Sequence, residues 1–139
     1  MKILVSACLL GENCKYNGGN NYCPKVAKFV EGHTVIPVCP ELEAGLGCPR
    51  VPMEIVDGVL INREGTIVDG AVRDAIQSIL QRIAGEKIDC AVLKSRSPTC
   101  GVHQVYDGTF SGTLIPGAGV LTQALQAADI RVIDAEDVE

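Results

Sequence analysis

The chain has 139 residues, 47 % of them hydrophobic and 21 % charged, with a net charge of −5 and no Trp. That length suits one domain with a core of its own, and the composition excludes wholesale disorder. An acidic chain without a basic stripe argues against a nucleic-acid partner, and no apolar run approaches the roughly 20 residues of a membrane span.

Aromatics are only 4 %, so the core must come from Val, Ile, Leu and Ala, as in a parallel sheet covered by helices. Lys2 to Ser6 is a short apolar run that predicts a buried first strand. It is too short for a signal peptide, which predicts a cytoplasmic protein. Residues 7–23, with Gly11, Gly18 and Gly19, predict a loop. Pro24 opens and Gly32 closes a short helix over Val26 to Val30, and Thr34 to Val38 is the second strand. Pro37 weakens hydrogen bonding inside that strand.

Met53 to Val56 and Val59 to Ile61 flank an Asp57-Gly58 turn, a hairpin signal, and Glu64-Gly65 turns the chain again before Thr66 to Val68. Asp69 starts the clearest helix, with Val72, Ala75, Ile76, Ile79, Leu80 and Ile83 on one face and Gly85 beyond its end. Ile88 to Leu93 is the third buried strand. Tyr106 to Thr109 is a tight turn, Gly119 to Ala128 a helix, and Ile130 to Ile133 a last strand before an acidic end expected to fray. The whole of 1–139 reads as a single α/β domain. Its fold class is an open, mainly parallel, Rossmann-like sheet flanked by helices, with right-handed crossovers and a small antiparallel hairpin insertion.

Seven cysteines are the anomaly of this composition. The number is odd, a reducing compartment disfavours structural disulfides, and no Cys-x-x-Cys pair occurs. Ligands of open α/β sheets bind beyond the carboxyl ends of the strands. Cys8 lies just past the first strand, Cys39 ends the second, and Cys100 follows the loop after the third. Three crossovers thus deliver thiols to one sheet edge. Thiolates select iron–sulfur clusters, Zn²⁺ or Cu(I). Three of them around a cubane cluster would leave one iron free to bind a substrate atom as a Lewis acid. Glu41, Ser97 and Lys94 stand beside these thiols in sequence, as a proton donor, a hydrogen-bonding hydroxyl and a fixed positive charge.

Ser6-Ala7-Cys8-Leu9-Leu10-Gly11, Pro37-Val38-Cys39-Pro40-Glu41, Ser97-Pro98-Thr99-Cys100-Gly101 and Tyr106-Asp107-Gly108-Thr109-Phe110-Ser111-Gly112 together resemble the thiouracil desulfurase family. The motifs occur in the family's order and span nearly the whole chain. The resemblance implies a [4Fe-4S] cluster held by Cys8, Cys39 and Cys100, with catalytic support from Glu41 and Ser97. It implies a small thiolated nucleobase or related thiocarbonyl compound as substrate, sulfide as product, and no net redox change. Cys14 and Cys48 depart from the family pattern, and either thiol, if it reached the same edge, would occupy the fourth iron.

The competing class is a sulfide- or iron–sulfur-sensing module without turnover, or a zinc-binding domain whose tetrahedral set Cys14 or Cys48 completes. Cys90, within a strand, reads as a small buried hydrophobe, and Cys23, next to Pro24, as structural or surface. His33 falls in a solvated turn, and His103 lies nearer the site without a visible partner. Gly117-Ala118-Gly119 reads as a tight turn rather than an anion site. Nothing in the sequence sets an oligomeric state.

Overall fold

The computed structural model describes residues 1–138. In chain order the first elements are β1 (Lys2–Ser6), α1 (Pro24–Val30), β2 (Thr34–Val38), α2 (Pro40–Glu43), β3 (Met53–Val56) and β4 (Val59–Asn62). There follow α3 (Asp69–Ile83), β5 (Cys90–Leu93), β6 (Gln104–Tyr106), β7 (Leu114–Pro116), α4 (Val120–Ala127) and β8 (Val132–Asp134). Turns of 3-10 helix occupy Ala7–Leu10 and Ala135–Asp137. The main sheet is parallel throughout, in the order β2-β1-β5-β8, and β3-β4 and β6-β7 are separate antiparallel pairs. The expected fold class is the observed one.

Side chains alternate across a strand, so each face of the sheet feeds its own core. Leu4, Ala91 and Leu93 point to one side, where α3 contributes Val72, Ile76 and Ile79 and α4 contributes Leu121 and Leu125. Ile3, Val5, Cys90 and Val92 point to the other, against Val26 and Val30 of α1 and against Ala135 and Val138. Burial on both faces is what makes these strands read as continuous apolar runs. Pro37 sits on β2, an edge strand, where a missing N–H is tolerated. The chain steps from β1 outward to β2 and then back across β1 to β5, so a topological switch point lies between β1 and β5. Among the described residues no helix is long and apolar enough to cross a membrane.

The structure departs from the sequence-based elements in several places, among them α2, β6 and β7, which have no counterpart among the expected elements. The 7–23 segment begins with the 3-10 turn, which Gly11 closes at φ 96°. β5 begins at Cys90 rather than Ile88, because the carboxylate of Asp89 accepts the Lys2 N–H at 2.8 Å. β8 starts at Val132 rather than Ile130, because Asp129 turns left-handed and the Ile130 N–H closes α4 on the Leu125 carbonyl at 2.9 Å. The acidic end does not fray as far as it is described: Asp134 caps the final 3-10 turn, and Val138 is buried. Glu139 lies outside the described residues.

The start of α4 is built onto the Ser97–Gly101 turn. Val120 N–H donates to the Pro98 carbonyl at 3.0 Å and Leu121 N–H to the Thr99 carbonyl at 2.8 Å. Protein carbonyls thus take the helix-start donors that an anion would need. Gly119 allows this approach, since a Cβ there would lie 2.4 Å from the Thr99 carbonyl carbon. Its φ of −68° suits any residue, so the demand is for space alone. Gly119→Ala should therefore destabilise the fold by about 1–3 kcal/mol, the cost of overpacking, as read by urea denaturation. An unchanged midpoint would mean the turn yields freely.

Candidate active site

A cavity of about 610 Å³ opens at the carboxyl ends of β1, β2 and β5, and Cys8, Cys39, Cys100, Glu41, Ser97 and Lys94 all line it. Each is delivered by a local device. Cys8 rides the 3-10 turn after β1, and its carbonyl accepts the Asn21 N–H at 3.0 Å. Cys39 is the N-cap of α2, with Pro40 as the first helical residue and Glu41 in the first turn. Cys100 closes a turn in which the Ser97 hydroxyl oxygen accepts the Thr99 N–H at 3.2 Å and the Cys100 N–H at 3.1 Å. The Tyr106–Gly112 motif forms another wall. There the buried Glu54 carboxylate accepts the N–H groups of Gly108 and Phe110 at 2.9 and 3.2 Å, folding the loop over β3.

Glu41 is buried, and its Oε1 accepts a hydrogen bond from the Thr99 hydroxyl at 2.7 Å. Its Oε2 lies 3.6 Å from the Cys39 sulfur, which donates. Thr99 is 1 % exposed, and its Oγ1 also stands 3.1 Å from the Ser97 hydroxyl. A hydroxyl has one proton. Thr99 gives it to Glu41, the shorter contact, so Ser97 donates to Thr99 and the three form a chain ending on the carboxylate. Lys94 is anchored by its own N–H on the Ser6 hydroxyl at 3.0 Å, with Nζ 3.2 Å from the Ser95 carbonyl.

Burial raises all three thiols above the ordinary cysteine range, and the Glu41 carboxylate adds to the rise at Cys8, Cys39 and Cys100 alike. Cys100 is pushed up to about 12. The Asn21 hydrogen bond and the Lys94 charge pull Cys8 back down. In the metal-free chain these are neutral thiols, and binding a metal must release their protons. The consequence for stability has a definite sign. A thiol held neutral in the folded state stabilises it fully below the unfolded pKa, 9.0, and that stability is lost as pH rises through the folded value, about 12 for Cys100. The thermal midpoint of metal-free protein should fall as pH rises beyond about 9, and a midpoint that rose there would contradict the burial of these thiols.

Among the described residues no three His, Cys, Asp or Glu side chains stand close enough together to hold a single metal ion. Three separate thiols on one wide cavity suit a group broader than one ion, and soft thiolates suit iron–sulfur chemistry. Cys14 is buried on the same cavity, whereas Cys48 turns away to the carbonyls of Asn13 and Lys15 at 3.0 and 3.1 Å. Cys90 packs in the core, and Cys23 is the N-cap of α1. His33 meets the N-terminal amine at 2.9 Å, and His103 pairs with Asp137 at 2.6 Å on the surface. Sequence reasoning passed over Thr99 and Arg50. The signal for Thr99 was a hydroxyl set between Ser97 and Cys100 on a tight turn. For Arg50 it was a cation two residues beyond Cys48, and its Nη1 donates to the Cys14 carbonyl at 2.9 Å.

A model of the family described as 2-thiouracil desulfurase matches residues 3–137. The uncharacterized protein YbbK of Bacillus subtilis (strain 168) is 36 % identical, over 98 % of this chain and 97 % of its own length. Among solved structures, the [4Fe-4S]-dependent thiouracil desulfidase TudS superimposes with a TM-score of 0.91 and 31 % identity, covering 99 % of this chain and 92 % of that one.

Proposed function

The chain belongs to the 2-thiouracil desulfurase family, and from that premise we propose that it removes sulfur from a small thiolated nucleobase or related thiocarbonyl compound without net redox change. Residues 1–139 act as one catalytic domain, and Cys8, Cys39 and Cys100 hold a [4Fe-4S] cluster. The similarity to TudS, a [4Fe-4S]-dependent thiouracil desulfidase, supports the choice of cluster. The single observation that carries the reading is the place of Glu41: one buried carboxylate stands on the cavity wall that the three thiols share, with Oε2 3.6 Å from the Cys39 sulfur.

When bound, the cluster supplies an iron without a protein ligand, a Lewis acid for the thiocarbonyl sulfur. The chain's own residues do the rest. Glu41 takes a proton from the water that attacks the thiocarbonyl carbon and returns one to the departing product. Thr99, donating to Oε1, fixes the carboxylate so that Oε2 faces the Cys39 thiol. Ser97 holds the turn that presents Cys100 and supports Thr99 in turn. Lys94 lends positive charge to a site that gathers thiolates and sulfide.

The test is anaerobic reconstitution with iron and sulfide, followed by an assay of sulfide released from 2-thiouracil and a panel of other thiolated bases. A brown, iron-loaded protein that releases sulfide from at least one of them is the expected result. A brown protein inert towards the whole panel would favour a sensing module, and a colourless one holding zinc would favour the zinc domain.

A further inference from the structure

The reaction proposed above uses one buried carboxylate of the cavity wall, and there is a second. Glu54, on β3, is 7 % exposed and lines the same cavity as the thiols and Glu41. Its Oε1 accepts two loop N–H groups, from Gly108 at 2.9 Å and from Phe110 at 3.2 Å. Oε2 has no hydrogen-bond partner among the described residues, and no cation there pairs with this carboxylate. No enclosed side-chain nitrogen or oxygen of the described residues lacks a partner, so Oε2 keeps contact with open space, and the space that Glu54 borders is the cavity. The carboxylate is held firmly, because the loop that grips Oε1 is seated close: a Cβ on Gly108 would lie 2.6 Å from the Ile55 carbonyl oxygen. A latch for two N–H groups needs only a neutral amide oxygen. A nearly buried charge with one oxygen left over costs more than that duty requires.

We propose that Glu54 is a substrate-binding residue whose Oε2 accepts a ring N–H of the thiolated base and so selects heterocycles that carry this donor, an inference that rests on the desulfurase reading. A carboxylate oxygen only accepts hydrogen bonds, so its partner in the cavity must donate. Rings of the thiouracil type carry an N–H beside the thiocarbonyl carbon. The two groups are neighbours in a rigid plane, and a bond to the first therefore sets the direction of the second. The bond is charge-assisted, and a ligand without the donor leaves a desolvated acceptor unpaired, which is the arrangement that discriminates most sharply between two ligands. Because two backbone N–H groups hold Oε1, the direction of Oε2 is set before the ligand arrives. The two carboxylates then divide the work: Glu41 exchanges protons, and Glu54 holds the ring.

The experiment measures, by calorimetry, the binding of uracil and of 1,3-dimethyluracil to the full chain after anaerobic reconstitution. Neither probe has sulfur to release. Wild type should bind uracil at least about tenfold more tightly than dimethyluracil, which has no ring N–H. Glu54→Gln should bind the two about equally. Its amide oxygen is the one atom able to accept from Gly108 and Phe110, so the loop stays and an NH2 donor takes the place of Oε2. A preference that came only from the bulk of the methyl groups would survive in that variant. Should Glu54→Gln fail to fold, a second measurement needs wild type alone: the carboxyl 13C resonance of Glu54 should move when uracil is added and stay when dimethyluracil is added. Equal affinities in wild type, no binding of uracil, an undiminished preference in Glu54→Gln, or a Glu54 resonance indifferent to uracil would overturn the proposal. Iron content and sulfide release are assayed separately. A protein that releases sulfide yet ignores the ring N–H defeats this proposal and leaves the desulfurase reading in place, and a preference without sulfide release does the opposite.

Discussion

Cys39→Ala should leave the chain with little of the iron that wild type takes up on anaerobic reconstitution, and Cys8→Ala and Cys100→Ala should do the same. The three thiols reach one cavity from the ends of three neighbouring strands, and among the described residues Cys14 is the one further thiol that lines it. Removing one leaves two protein ligands for a group that needs three, and cluster affinity does not divide evenly among vertices. Cys90→Ala is the control. Cys90 packs in the core with Ile3, Val5 and Val92, so its loss should lower stability through packing and leave iron uptake whole. Cys14 sharpens the comparison, because its thiol lines the same cavity as the three ligands. The double variant Cys14→Ala/Cys39→Ala should hold no more iron than Cys39→Ala alone. Full iron and colour in Cys39→Ala would show the ligand assignment to be wrong.

The parts of this site that were legible in the sequence are those with a repeating physical signature. β1 and β5 are buried on both faces, and they and the partly buried edge strand β2 announce themselves as apolar runs, so the residues that follow them could be placed on one edge without coordinates. α3 was legible because buried residues recur at helical spacing along it, from Val72 to Ile83. β6 and β7 have three residues each, too few to show a period, and they were read only as the turn within their connecting loop. β8 was misplaced because capping of α4 consumes Ile130, an apolar residue that looks like strand. The place of Cys14 depends on a clamp from residues 48 and 50, more than thirty positions away, and no local pattern reports that. Thr99 escaped for another reason. Its hydroxyl matters only because α2 brings Glu41 to within 2.7 Å of it, a contact across 58 positions.

Glu41→Gln should lower turnover by about 10²–10⁴-fold, the usual contribution of general acid–base catalysis, while iron content and thermal midpoint stay close to wild type. Gln has nearly the same volume and can keep its carbonyl oxygen towards Thr99, so the 2.7 Å bond survives. What it loses is the ability to take and return a proton. A purely structural role would rest on its place in the first turn of α2, where a carboxylate meets the positive end of the helix dipole favourably. That role predicts the reverse: a loss of roughly 0.3–1 kcal/mol of stability with turnover untouched. Thr99→Val separates positioning from proton transfer. It removes the donor to Oε1 and leaves the carboxylate in place, so kcat should fall less than in Glu41→Gln, and Thr99→Ser should restore it. An iron-replete Glu41→Gln protein that releases sulfide at the wild-type rate would remove Glu41 from proton transfer. The three-thiol site would stand, and a water or the Ser97 hydroxyl, which also lines the cavity, would have to carry the proton.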